Sequence, residues 1–166
     1  MTELEQLIIE FNLSESDDDK SGINRDDFDF LDDNNKWDFL LPLLVQEKTY
    51  DLIKVEIFKV IQIADFSGLY INKIKNTILG TLKDEEDEMV RQYGFMSLPQ
   101  NFSIFADVLD YCIETVEDEK EDINVRHCAF SVLKESENLQ KISLLRDRIL
   151  EVKDFQEYST DIFNAK

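Results

Sequence analysis

Two stretches decide the fold. One is Val90-Arg91-Gln92-Tyr93-Gly94-Phe95-Met96-Ser97-Leu98. The other, 35 residues further on, is Val125-Arg126-His127-Cys128-Ala129-Phe130-Ser131-Val132-Leu133. They share the pattern V-R-x-x-small-F-x-x-L. A looser copy, Ile53-Lys54-Val55-Glu56-Ile57-Phe58-Lys59-Val60-Ile61, lies 37 residues before the first. Each copy follows another amphipathic stretch, at residues 37–45, 70–82 and 102–116. A period of this length built from two helices is the signature of an α-solenoid. One helical hairpin cannot bury its apolar face alone, whereas stacked hairpins share a continuous core. Gly94 and Ala129 are expected to let the partner helix approach closely, and Phe58, Phe95 and Phe130 to fill the layer between repeats.

Outward from the repeats, apolar periodicity predicts helices at about 2–12, 36–47, 51–65, 69–82, 86–97, 101–117, 122–135, 138–152 and 155–163. Thr2 and Glu5 have capping-box spacing, and Leu4, Leu7, Ile8 and Phe11 share one face of the first helix. Residues 13–24, rich in Ser and Asp and carrying Gly22, read as a loop. Residues 25–35 read either as a short helix or as a docked acidic loop. In that segment Phe28, Phe30 and Leu31 either dock on the first helices or form part of a binding edge. The expected architecture is all-α, a short α-solenoid of about three to four antiparallel helix pairs. It forms one domain over 1–166. An N-terminal helix plus acidic segment occupies 1–35, three helix pairs 36–135 and a C-terminal helical cap 136–166.

Composition narrows the function. The chain has 166 residues, 37 acids against 18 Lys and Arg, and a formal charge of −19. An apolar fraction of 43% with twelve Phe is enough for a core. Four Gly and two Pro disfavour an all-β sandwich and Gly-rich phosphate loops. Two Cys exclude a disulfide scaffold and a Cys-rich zinc module, and a single His excludes multi-His metal sites within one chain. The charge repels nucleic acid and anionic lipid and attracts basic proteins. No stretch approaches the ~18–20 apolar residues of a membrane span. The acidic start MTELEQLIIEF lacks a basic n-region, so a cytoplasmic protein with reduced Cys112 and Cys128 is expected.

The stretch Leu40-Leu41-Pro42-Leu43-Leu44-Val45, followed by Ile53-Lys54, resembles a HEAT repeat. Units of that family pair a helix carrying L-L-P-L-L with a second helix that opens on V-R after an acidic turn. Val90-Arg91 and Val125-Arg126 match the second part, with Asp87 and Asp122 in the acidic turns. The resemblance covers about residues 37–135. It implies a curved all-helical scaffold that binds proteins or nucleic acid, and no activity.

Catalytic and metal motifs are weak. Asp17, Asp19, Ser21 and Gly22 have the spacing of the first half of a calcium-binding EF-hand loop. Ile23 then falls one position early and Phe28 stands where the bidentate Glu is required. His127 and Cys128 are adjacent, and neighbouring helical side chains point apart. Arg91 and Arg126 are expected to neutralise the preceding acidic turns and support the starts of their helices. No cofactor or metal is expected.

The acidic runs remain. Residues 84–88 are five consecutive acids, residues 117–122 hold five acids and Lys120, and residues 15–33 hold nine acids against two bases. In a hairpin stack the equivalent turns align along one edge. That edge is either a solvated rim or a negative ridge that steers basic partners. In size, acidity and lack of catalytic equipment the chain is similar in kind to bacterial immunity proteins. Those neutralise toxin domains delivered in contact-dependent growth inhibition and related systems. The resemblance implies an inhibitor rather than an enzyme: a monomer that binds a basic toxin, a nuclease domain, one to one and blocks its active site. The expected contacts are Asp84, Glu85, Glu86, Asp87 and Glu88, then Glu117, Asp118, Glu119, Glu121 and Asp122. Glu56, Gln92, Tyr93 and His127, expected to be exposed on the second helices, come next. The alternative is a HEAT-like adaptor holding a basic cellular protein. A DNA mimic and an enzyme built around His127 or Cys128 stand behind both.

Overall fold

The computed structural model describes residues 1–66 and 68–164, and every regular element among them is helical. Residues 165 and 166 of the expected C-terminal cap lie outside the described residues. The chain gathers into two compact units, Met1–Ser97 and Leu98–Lys166.

In the first unit, α1 (Glu3–Leu13) starts on the expected capping box. The Glu5 amide donates to Thr2 Oγ1 at 3.1 Å, and the Thr2 amide donates to the Glu5 carboxylate at 2.7 Å. Residues 13–24 are not a loop. They contain α2 (Asp17–Ile23), which runs straight into a π-helical turn at Asn24–Phe28. The apparent breakers are helix-start residues in practice. Ser16 caps the helix by accepting from the Asp19 amide, and Asp17, Asp18 and Asp19 place negative charge in the first turn, where the helix dipole favours it. Asp17, Asp19 and Ser21 therefore sit on a helix rather than in a calcium loop. Phe28 is fully buried, stacked on Phe39, and Leu31 is buried, while Phe30 stays exposed. The buried Lys36 ammonium donates to the carbonyls of Phe28 (2.8 Å) and Leu31 (2.7 Å), which ties the acidic segment down.

Next come α3 (Lys36–Val45), α4 (Asp51–Ile63), α5 (Gly68–Asp84) and α6 (Glu88–Met96). Consecutive partners touch, α3 with α4 and α5 with α6. Across the pairs α3 meets α5 and α4 meets α6. α4 is also covered by α2 and the π turn, so buried residues occur on all its sides, from Ile53 to Ile61. Gly94 sits where α6 crosses its neighbours. A Cβ there would lie 2.6 Å from Leu82 Cδ2 and 3.3 Å from Phe58 Cζ, so the close approach expected of the small motif residue is present.

The second unit contains α7 (Ala106–Glu117), α8 (Ile123–Glu135), α9 (Leu139–Leu144), α10 (Arg146–Glu151) and α11 (Gln156–Asn164), the last preceded by a 3-10 turn at Lys153–Phe155. The helix expected from residue 101 begins only at Ala106. Residues before it form turns around buried Phe102, and Ser103 donates to the Pro99 carbonyl. The single helix expected over 138–152 is two short ones that meet at Leu145, whose φ is −90° and ψ 0°. Ile142, Leu145 and Ile149 are buried on both sides of the break. Buried Arg126 organises this unit. Its Nε and Nη2 donate to the Val116 carbonyl at 3.0 and 2.8 Å, its Nη1 meets Asp154 at 2.8 Å, and its guanidinium lies over the Phe155 ring.

Two glycines on neighbouring helices give opposite expectations. Gly94→Ala should lower the urea midpoint, because overpacking of ~1–3 kcal/mol outweighs a helix-propensity gain of up to ~1 kcal/mol. Gly80→Ala, with nothing within 4 Å of the new Cβ, should raise it by the propensity gain alone. Arg126→Lys should cost about 1–3 kcal/mol in thermal or urea unfolding, since a lysine cannot reproduce the planar fork that holds the Val116 carbonyl.

Candidate protein-binding surface

The turn between α5 and α6 shows how an acidic run is divided. Asp87 caps α6, its Oδ1 accepting from the Val90 amide at 2.9 Å. Glu85 folds the turn. Its Oε1 accepts from the amides of Glu86 (3.1 Å) and Asp87 (3.0 Å), and its Oε2 accepts from the buried Lys54 ammonium at 2.6 Å. Burial pushes the Glu85 carboxyl up. The Lys54 hydrogen bond, the two amides and the Lys54 charge outweigh that and hold it below its ordinary value. Arg91 turns to the backbone of this turn. Its Nη1 donates to the carbonyls of Leu82, in the last turn of α5, and Glu85, just past its end. Asp84, Glu86 and Glu88 are exposed and have no ion partner among the described residues.

The turn between α7 and α8 repeats the division. Asp122 caps α8, accepting from the amides of Asn124 (2.9 Å) and Val125 (3.1 Å). Asp118 accepts from the Lys120 amide, and Glu121 from the Asp122 amide, both at 3.0 Å. Glu117 holds Arg148 through two hydrogen bonds of 2.8 and 2.5 Å. These bonds raise the guanidinium's pKa; burial opposes them, and the Glu117 charge adds to the rise. Of this run, Glu119 is exposed with neither an ion partner nor a side-chain hydrogen bond among the described residues, whereas exposed Asp118 has no ion partner but accepts the Lys120 amide. Four carboxylates, Asp84, Glu86, Glu88 and Glu119, are thus left with no ion pair or side-chain hydrogen bond among the described residues. The other six build the turns.

The four residues expected on the exposed lining of the second helices fare differently. Glu56 is buried, 7% exposed, because α2 and the π turn lie on α4. Its Oε1 pairs with Lys59 at 2.9 Å, and its Oε2 is buried with no hydrogen-bond partner. Gln92 and Tyr93 are half-buried, and the Lys59 ammonium sits 5.1 Å from the Tyr93 ring centroid. His127 alone is exposed as expected, with its ring edge against Phe155 at 4.7 Å. The adjacent Cys128 is half-buried. Burial, then the charge of Asp122, raises its thiol pKa, and burial raises that of Cys112 further. Both thiols are held protonated at neutral pH, the opposite of an activated nucleophile. Among the described residues no group of His, Cys, Asp or Glu is arranged to hold a metal ion.

A second set of exposed carboxylates lies on α1 and α2, including Glu10, Asp18 and Asp19, with Asp27 on the π turn. The acid-rich composition of residues 15–33 signalled Asp18, Asp19 and Asp27, but a loop reading of 13–24 could not place Asp18 and Asp19 on a helix face. The chain matches no protein-family model, no curated protein and no solved structure.

Glu85 sets a pH expectation. Its carboxyl is depressed on folding, so its contribution is complete above the ordinary Glu value of ~4.3 and is lost as pH falls through the lower folded value. Glu85→Gln should cost about 1–3 kcal/mol at pH 7 and less in acid, which urea midpoints measured from pH 7 down to pH 3 would show.

Proposed function

We propose that this chain is an acidic protein-binding inhibitor, an immunity protein that binds a basic toxin, a nuclease domain, and blocks its active site. It acts by occupancy rather than catalysis, as a cytoplasmic monomer in a one-to-one complex. The packing of α3 and α4 against α5 and α6 would be that of a short HEAT-like solenoid. The observation that carries the reading is the division of the acidic turns. Asp84, Glu86, Glu88 and Glu119 are exposed and unpaired among the described residues, on a chain of formal charge −19. Unpaired surface carboxylates contribute little to folding and attract cations from a distance. In a basic cleft they would stand where the phosphates of a nucleic acid bind.

The test is capture by the tagged chain from its native host at low and moderate salt, followed by a nuclease assay of the retained partner. One basic protein should survive moderate salt and lose its activity at one equivalent of inhibitor. Changing Asp84, Glu86, Glu88 and Glu119 to their amides should weaken capture by about tenfold or more, mostly through association rate, while leaving the urea midpoint nearly unchanged. Many basic proteins, all released at moderate salt, would overturn the reading.

A further inference from the structure

Helix α1 carries two apolar faces. Leu4 and Phe11 are buried, but Ile9 and Leu13, one turn apart, are 47% and 76% exposed. Both line a groove of about 790 Å³ between α1 and the continuous run of α2 and the π turn. Buried Ile23 and open Gly22 complete its floor, and a Cβ on Gly22 would meet only the Arg25 side chain, at 3.8 Å. The rim is negative. Glu10, Asp18, Asp19 and Asp27 line the groove and have no ion pair among the described residues. Met1 with its terminal ammonium also lines the groove, and Arg25 on the rim is already held by Asp26 through hydrogen bonds of 3.0 and 2.9 Å.

We infer that this groove docks a basic amphipathic helix of the partner protein. An apolar floor between two helical walls is the geometry of helix-in-groove recognition, in which anchors at i, i+3, i+4 and i+7 enter the groove. Four unpaired carboxylates around that floor require Lys or Arg on the flanks of the incoming helix. An uncharged or acidic helix would leave them unmatched, and an identical copy of this acidic chain would repel them. The inference rests on reading the chain as a binder of basic proteins and adds a surface distinct from the acidic turns.

The probe is a synthetic peptide of about 14 residues, made of Leu and Lys in helical period, against an isomer of identical composition with the period scrambled. Binding is read by fluorescence anisotropy at 0.15 M salt and mapped by amide chemical shifts. The helical-period peptide should bind about tenfold or more tightly than its isomer and shift the amides of Ile9, Leu13, Gly22 and Ile23. Ile9→Glu with Leu13→Glu, both exposed positions, should abolish that preference, whereas Asp84→Asn with Glu86→Gln should not. Equal binding of the two peptides, or shifts spread over the surface, would overturn the inference. So would a self-associated species in sedimentation that Leu13→Glu dissociates, since it would make a second copy the occupant. If the Ile9 and Leu13 variant still captures and silences the basic partner at full strength, the groove is overturned and the inhibitor reading stands. If no basic partner is captured by any variant, both fall.

Discussion

A short turn between two helices leaves the last carbonyls of the first helix without amide partners, and something must meet them. In this protein an arginine from the first turn of the following helix does so. Arg91 reaches back to Leu82 and Glu85, and Arg126 reaches back to Val116. A guanidinium suits the task because it offers several donors in one plane and carries charge of the sign that the helix C-terminus favours. The carboxylate before each arginine is then free to cap the helix it starts, as Asp87 and Asp122 do. The recurring V-R pair is thus a backbone device. The valine is buried, the arginine closes the preceding helix, and the acid three residues before the valine opens the next.

The same logic governs the interior of the first unit. Lys36 is buried yet satisfied by two carbonyls at the end of the acidic segment, and burial lowers its pKa against the pull of Asp29, Asp32 and Asp33. Lys54 is buried and satisfied by Glu85. By contrast, both amide atoms of fully buried Asn24 and one oxygen of Glu56 have no hydrogen-bond partner. Unsatisfied buried polar groups of this kind cost free energy. They lie where the π turn meets α4, so the N-terminal segment is held over α4 by Phe28, Ile23 and Lys36 against an opposing polar term.

Helix existence from residue 36 onward was legible because the apolar period is long and regular, and the close approach at Gly94 was legible from the repeat. The helix at Asp17–Ile23 was not, because Ser and Asp favour loops and helix starts alike, and only the Ser16 cap distinguishes the two. The break at Leu145 has no glycine or proline to mark it, and Ile142, Leu145 and Ile149 would share a face in a straight helix as well. At the acidic turns the sequence revealed the charge but not its division. That Glu85 is structural depends on Lys54, 31 positions away. Glu56 was placed outside because the element that covers it was read as loop.

The π turn at Asn24–Phe28 has a consequence for how this region tolerates length changes. A π turn holds one residue more than an α turn, about 100° of extra rotation about the helix axis. Loss of a single residue there would let α2 run on as a regular α-helix. Everything before it would then rotate by that angle relative to Phe28, and Ile23 and Phe28 could no longer face α4 together. Insertions and deletions between the helices, at residues 14–16 or 29–35, would alter a connection, whereas one at this turn would re-index the whole N-terminal segment against the core.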